Sequence, residues 1–498
     1  DVCSSDLTPS STLQRMELLK TGYMGTLSLG WDNYLFLELT GRQERSSTLK
    51  DQSFFYPSAN LSFLFTQAFH MPSWWNYGKL RLSYGIVGNA PETYTANIVY
   101  EQGSDNGFTW NTIPSSWGNA DIRPEKKYEY EIGLESKFLN NRLGIDVSYY
   151  NNRVKDQILS TPQPSTSGVK NVLMNVGEVA NHGWDISISA TPILTRDFRW
   201  DLTANYGVYK NKVVKLADGV PYLEILNSGG SGIKIQAVEG QPMGDIYAQV
   251  PQVNENGEYL VSDKGLYLNQ TELQKVGNIN PAGVGGLFNS FSYKNVFLDF
   301  SIDFRIGGDV INEMNQYATA VGLTPESLKY RDTEHGGLSY YYPGDNNSSG
   351  IPVQVDPSTG AGPNGEIIYH DGIILPGVVA STGERNTRII PAGYYYNTTY
   401  NWGTEAEQLT YRHSVFDNSY VKLRELTIGY QFPEKMISKL GLGRLSVSVF
   451  GRNLFYFYKA LKNYDAESSV GTSWANQATV GSSTTATRSF GVSLRASF

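Results

Sequence analysis

Val296-Phe-Leu-Asp-Phe-Ser-Ile-Asp-Phe-Arg-Ile306 decides the fold class. Val296, Leu298, Phe300, Ile302, Phe304 and Ile306 fall on one side of an extended chain, and Asp299, Ser301, Asp303 and Arg305 on the other. Successive side chains of a strand point to opposite faces, so this stretch predicts a strand with one oily and one wet face. The pattern recurs along the sequence. At the end, Phe490, Val492, Leu494, Ala496 and Phe498 oppose Ser489, Gly491, Ser493, Arg495 and Ser497. Tyr130, Ile132, Leu134 and Phe138 oppose Glu129, Glu131, Glu135 and Lys137; after a turn at Asn140-Asn141, Leu143, Ile145, Val147 and Tyr149 oppose Gly144, Asp146 and Ser148. Further copies lie at 184–190, 200–208 and 445–449, and weaker ones near 21–30, 33–43, 57–67, 79–87 and 286–293. In 423–432 the alternation changes phase near Glu425, which predicts a β-bulge.

About 13 strands result, most close to the roughly 9–11 residues that cross a bilayer at a tilt. The oily faces often end in Tyr, Trp or Phe, as interfacial girdles require. Connection lengths alternate. Short turns fall at 31–33, 139–142, 191–199, 294–295 and 432–443, with a middling one at 68–78. Long connections fall at 88–125, 153–181, 211–285, 307–418 and 452–487, and 44–56 lies on the same side. Strand parity puts every short turn on one side and every long loop on the other, as in outer-membrane barrels. A soluble β-sandwich needs the oily faces to meet in a core, and explains neither the girdles nor the one-sided loops. An odd number of strands does not close a bacterial barrel, so further strands are expected upstream.

Composition agrees. The 498 residues include 50 Gly and 34 Tyr, and only 18% are charged, below the roughly 25% of ordinary soluble domains. Mean hydropathy is −0.34, and no run approaches the roughly 18–20 apolar residues of a membrane helix. A net charge of −8 argues against nucleic acid as a partner. The single cysteine, Cys3, excludes an internal disulfide. No signal peptide opens the sequence, so the natural N-terminus is expected to be missing. Residues 1–7 share no pattern with the rest and read as a non-native leader.

Several segments resemble one family, the SusC/RagA-like TonB-dependent outer-membrane transporters of Bacteroidetes-type bacteria. They are Lys79-Leu-Arg-Leu-Ser-Tyr-Gly-Ile-Val-Gly-Asn89, Val176-Gly-Glu-Val-Ala-Asn-His-Gly-Trp-Asp185, Glu239-Gly-Gln-Pro-Met-Gly-Asp-Ile-Tyr247, Ser419-Tyr-Val-Lys-Leu-Arg-Glu-Leu-Thr-Ile-Gly-Tyr-Gln-Phe-Pro433 and Val449-Phe-Gly-Arg-Asn-Leu-Phe455. The resemblance covers most of 21–498. It implies a barrel of about 22 strands around a plug, with residues 8–498 as its C-terminal portion and the plug absent. It further implies import of a large nutrient, a glycan or an oligopeptide, energised through TonB in the missing N-terminal region. A SusD-like surface lipoprotein would cover the loops. The aromatic C-terminal strand (Phe490, Val492, Leu494, Ala496, Phe498) would be the barrel-assembly signal. Many relatives carry an acidic calcium-type loop after the Gly-x-Pro-x-Gly segment. Here Val253-Asn-Glu-Asn-Gly-Glu-Tyr-Leu-Val261 lacks its oxygen spacing, and no calcium is expected.

No cofactor, metal or enzymatic activity is expected. The five histidines form no His-Glu-x-x-His motif, and no Gly-x-Ser-x-Gly elbow or phosphate loop exists. Asp332, Glu334 and His335, and His370 with Asp371, read as solvated loop clusters rather than acid–base pairs. Glu129, Glu131 and Glu135 read as a wet lumen wall rather than a cation site. The candidate substrate-binding residues are the loop aromatics Trp110, Trp117, Tyr340, Tyr341, Tyr342, Tyr394, Tyr395, Tyr396 and Trp402, whose faces pack on sugar rings or peptides. The competing classes are a passive porin-like or adhesive barrel, which lacks a plug, and an outer-membrane hydrolase, which needs a convergent catalytic group.

Overall fold

The computed structural model describes residues 16–497 except 51–52, 98, 106–107, 115, 163–165, 167, 170, 218, 229–231, 345–349, 402–409, 469–470, 472 and 482–485. The leader at 1–7, Trp402 and Phe498 therefore lie outside the described residues.

Thirteen wall strands form one sheet: β1 (Lys20–Trp31), β2 (Leu35–Ser46), β3 (Ser53–Phe63), β4 (Trp75–Asn89), β5 (Glu125–Phe138), β6 (Leu143–Lys155), β7 (Glu178–Leu194), β8 (Phe198–Lys215), β9 (Gly283–Tyr293), β10 (Val296–Ile306), β11 (Tyr420–Gln431), β12 (Arg444–Lys459) and β13 (Ser489–Ser497). Each pairs antiparallel with its neighbours in chain order. Among the described residues β1 and β13 pair on one side only. The sheet curls, because residues from β4 and from β11 line one cavity.

The register turns single-strand alternation into rows. Leu82, Ile132, Tyr149 and Trp184 lie side by side across β4 to β7. Trp200, Phe291, Leu298, Ile428, Val449 and Val492 do so across β8 to β13. This face is exposed: Ile132 is 45%, Ile428 53% and Val492 71% accessible. A polar residue on it, Asn289, is buried, and its side-chain carbonyl accepts the Trp200 indole N–H at 3.1 Å. Aromatic rings gather at the turn end: Trp74 stacks on Phe138 at 6.0 Å, Trp200 on Phe291 at 5.5 Å, and Tyr34 meets Phe63 edge-on at 6.1 Å. That is the girdle expected at a membrane interface.

The opposite row reads Arg81, Gly133, Ser148, Asp185, Gly207, Val284, Arg305, Tyr420 and Lys459 across β4 to β12. It is the wet inner wall. The clusters of buried hydrophobic residues all lie in the long connections and the strand ends beside them. Among the described residues the wall encloses no dry core, which argues against the sandwich.

Short connections use left-handed backbone where a tight reversal needs it. Asp32 and Asn33 have φ of 47° and 58°, and Asn140 and Asn141 have 57° and 62°. Asp and Asn tolerate this region better than most residues. The phase change in β11 is a bulge at Arg424: Glu425 pairs with Ser301 and Leu423 with Ile302, leaving Arg424 as the extra residue. Strand ends differ from the sequence expectation at several places, the strand Glu178–Leu194 outrunning 184–190 at both ends and three others having a clear cause or consequence. β3 runs from Ser53 rather than 57, because Pro57 sits where only β2 pairs with it, and β4 joins from Ser58. β8 extends to Lys215 and β12 to Lys459, carrying both beyond the length a bilayer requires.

The long connections are folded. Tyr222–Ser228, Ile233–Val238, Asp245–Ala248 and Gln274–Asn278 form a four-stranded sheet. Val353–Gln354, Leu338–Tyr341, Tyr369–Ile373 and Ile390–Pro391 form another, in that order. Helices Glu313–Ala320 and Ala392–Tyr400 pack together beside it.

Candidate functional site

Two regions bear chemistry: the inner wall and the loop layer above it. On the wall, the Arg81 guanidinium donates to both oxygens of Asp146, at 3.1 and 2.6 Å, and to Ser148 Oγ at 3.2 Å. Glu135 stands 3.6 Å away. The two-pronged geometry fixes Arg81 flat against the wall. Beside it opens a cavity of about 700 Å³ lined by Arg81, Asp146, Asp185, Asp303, Arg305 and Tyr420 among others. Arg81 pairs with Asp146 and Asp303 with Arg424, while Arg305 donates to the Gly307 and Ile279 carbonyls, so the wall presents charges of both signs to water.

A second ionic cluster ties a loop to the wall. The bulge turns Arg424 so that Nε donates to Asp303 Oδ2 at 2.6 Å, and Nη1 donates to Asn453 Oδ1 and Glu467 Oε2, each at 2.9 Å. Lys422, almost wholly buried, also donates to Glu467 and lies 4.7 Å over the Tyr456 ring. The Tyr456 hydroxyl donates to Asp465 Oδ1 at 2.6 Å. Burial pushes the Glu467 carboxyl up, but the hydrogen bonds from Arg424 and Lys422 outweigh it and hold the group at about 2. Segment 460–488 is thus pinned down by its acids. Sequence reading missed this cluster. Its signal was the charged residue at the break in alternation, one position before Glu425.

The predicted loop aromatics separate. Trp110 is exposed on a hairpin in which Glu101–Asp105 pairs with Phe108–Thr112. Trp117 pairs alongside Val172. Tyr340 and Tyr342 are buried; Tyr340 stacks on Tyr369 at 5.5 Å, and its hydroxyl donates to Asp371 Oδ1 at 3.1 Å. Tyr341 pairs with Val353 on the sheet edge. Tyr396 is buried and donates to the Glu326 carbonyl at 2.8 Å, and burial pushes its phenol up to about 12. Tyr395 contacts Tyr396 and Tyr400. Tyr342 and Tyr394 line one cavity, and Tyr396 lines another with Arg331, His370 and Asp371. The structure therefore brings the 340–342 and 394–396 groups together around one small sheet, while Trp110 and Trp117 stand on other elements.

The histidine clusters resolve similarly. His335 Nδ1 lies 2.7 Å from Asp332 Oδ1 at an exposed turn. His370 Nδ1 shares a hydrogen bond with Ser339 Oγ at 2.8 Å, while its neighbour Asp371 serves Tyr340. His413 stacks on Tyr400 at 4.4 Å; burial, with Arg412 beside it, holds its imidazole down at about 4. Among the described residues no three His, Cys, Asp or Glu side chains gather as metal ligands. The strand Ser489–Ser497 sets Phe490, Val492, Leu494 and Ala496 against Gly451, Val449, Val447 and Leu445 on the oily face.

Residues 7–251 match the sequence family described as "TonB dependent receptor-like, beta-barrel". TonB-dependent receptor P3 of Formosa agariphila is 24% identical over 494 residues, covering 90% of this chain and 42% of that protein. TonB-dependent receptor SusC of Bacteroides thetaiotaomicron is 30% identical over 247 residues, covering 46% of this chain and 24% of that protein. The fold matches a chain from the structure titled "Structure of the RagAB peptide transporter" with a TM-score of 0.63 and 19% identity, covering 88% of this chain and 44% of that one. The chain thus spans less than half the length of these relatives. An open meander of membrane-length strands, oily on one face and charged on the other, agrees with these matches: residues 7–251 carry the TonB-dependent receptor β-barrel pattern, and the chain is an outer-membrane protein similar in sequence to SusC and in fold to the RagAB transporter chain.

Proposed function

We propose that this chain supplies wall and outer loops to a receptor that imports a large nutrient, a glycan or an oligopeptide, across the outer membrane. TonB energises it, and a SusD-like surface lipoprotein closes over the loops. The observation that carries this reading is the pairing of a charged, water-facing inner wall with a folded loop layer at one end only. A passive pore needs the wall; it does not need a layer of sheets and helices built over the mouth.

The inner wall offers a polar path with charges of both signs, Arg81 beside Asp146 and Asp303 beside Arg424, which suits a bulky hydrophilic solute. The loop layer offers ring surfaces. We assign substrate contact to exposed Trp110 and half-buried Tyr394, while the buried Tyr340, Tyr342 and Tyr396 hold the layer together. Catalysis forms no part of this reading.

Uptake of a labelled oligosaccharide or peptide library into cells bearing the full-length receptor tests it. Uptake should collapse when TonB is inactivated and when the adjacent lipoprotein is deleted. Equal uptake in all three backgrounds would return the protein to the passive-barrel class. The segment 1–498 expressed alone is expected to give no energy-dependent uptake.

A further inference from the structure

We propose that the lipid-side face of β5 to β8, just beyond the oily band at the long-loop end, docks a phosphorylated glycolipid headgroup of the outer leaflet, held by Arg153, Lys210 and Lys212. This inference rests on the outer-membrane placement with the long loops outside, and not on what the receptor imports.

Strand register builds the surface. On β8 the oily positions Trp200, Leu202, Ala204, Tyr206 and Val208 are followed on the same face by Lys210 and Lys212. On β6, Ile145, Val147 and Tyr149 give way to Asn151, Arg153 and Lys155. Antiparallel pairing gathers these ends. Tyr130, Asn151, His182 and Lys210 form one row, and Tyr128, Arg153, Ala180 and Lys212 the next. Lys126, Lys155 and Glu178 form a third. All five lysines and arginines in these rows are exposed. The oily run from Trp200 to Val208 matches the roughly 9–11 residues of a tilted crossing, so the cations begin where hydrocarbon gives way to headgroups.

Glu178 holds Arg153 at 2.9 Å and stands 3.9 Å from Lys155. Among the described residues Lys126, Lys210 and Lys212 enter no ion pair. Arg153 and Lys212 lie two strands apart, roughly 10 Å, with only the small Ala180 between them. A phosphate over Ala180 is within reach of both long side chains, a guanidinium on one side and an ammonium on the other. Below it Tyr128 and Tyr130 mark the interface, as aromatic girdles do, and Lys155 Nζ lies 5.9 Å over the Tyr128 ring.

Ordinary snorkelling of long side chains does not account for the cluster, because it would ring the whole wall. At the same end of β10 to β12 the lipid-side rows are Ile302, Leu423 and Phe455, then Phe304, Val421 and Tyr458. The chain carries −8, so five cations on one patch run against its composition. An anionic lipid surface attracts such a cluster. A protein partner fits less well, since the rows run without a break into the oily band and whatever covers Lys210 also borders acyl chains.

The test is native mass spectrometry of the detergent-purified full-length receptor. The probes are a diphosphorylated lipid A, the same lipid with its phosphates removed, and inorganic phosphate. The phosphorylated lipid should be retained about tenfold more strongly than the dephosphorylated one. Arg153→Gln, Lys210→Gln and Lys212→Gln together should abolish that preference, and Arg153→Lys should keep most of it. Lys294→Gln, an exposed cation at the turn end, should leave it intact. The migration shift on heating shows that each variant is folded. Equal retention of the two lipids, or a preference that survives the triple substitution, would overturn the proposal. So would displacement of the lipid by inorganic phosphate at comparable concentration, or loss of a co-purifying protein subunit in the triple variant with lipid retention unchanged. Uptake plays no part in the readout, so either result leaves the importer reading where it stood.

Discussion

Two side chains in the loop layer set separate pH windows. His413, stacked on Tyr400, is held at about 4, below its ordinary 6.5, by burial and by Arg412. As pH falls the unfolded chain takes this proton first. The stability His413 contributes is therefore whole above about 6.5 and is lost on the way down to about 4. Glu467 is held at about 2, below its ordinary 4.5, so its contribution is whole above 4.5 and lost between there and 2. Hydrogen exchange across a pH series should show 392–415 loosening in the upper window and 460–488 in the lower. His413→Phe should remove the first slope and leave the second. Glu467→Gln should cost the docked loop about 2 kcal/mol at neutral pH, because it strands the buried Lys422 ammonium. Unchanged protection of 460–488 in that variant would show that the ionic cluster does not hold the loop. Little of this was legible in sequence. Arg424 and Glu467 lie 43 positions apart, and only the bulge turns one toward the other.

At the scale of a strand, legibility was high, because a bilayer imposes its own periodicity on every crossing. Ser187 and Ile188 are consecutive on β7, yet Ser187 pairs with Asp146 and Asn205 on the wet wall while Ile188 pairs with Ile145 and Ala204 on the oily one. Ile188→Lys places an ammonium in lipid near mid-membrane and should cost about 2–4 kcal/mol, whereas Ser187→Lys gains a carboxylate neighbour and should stay within about 0.5 kcal/mol. Denaturant titration of the refolded barrel in vesicles measures both. Equal losses would mean the two faces are not divided between lipid and water. Alternation failed where the membrane stops dictating it. The tops of β8 and β12 stand clear of the bilayer, where Val213 joins a buried cluster and the Phe455–Tyr458 run breaks the pattern. The start of β3 lies at Ser53 rather than near 57, since Pro57 pairs only with β2 and β4 joins from Ser58.

Across the whole molecule, parity of the connections told which side the long loops occupy, but not that they share a core. Ile233, Ile235, Ile246 and Ile279 from 216–282, Ile311, Tyr411 and Val415 from 307–419, and Ala475 and Ala478 from 460–488 bury one another. Those partners are up to 245 positions apart, from Ile233 to Ala478, and no local period reports such a contact. The wall, by contrast, is held by neighbour-to-neighbour pairing and lipid. The two layers should therefore fail independently. Ile233 is wholly buried, and Ile233→Ala should cost the loop layer about 2–5 kcal/mol through lost burial and the cavity left behind. Because the core is common property, exchange should quicken in 216–282, 307–419 and 460–488 together, while β4 to β10 keep their protection and the barrel its shift on heating. Quickening confined to 216–282 would mean that the three loops fold separately, and a layer that closes as one body over the mouth would lose its physical basis.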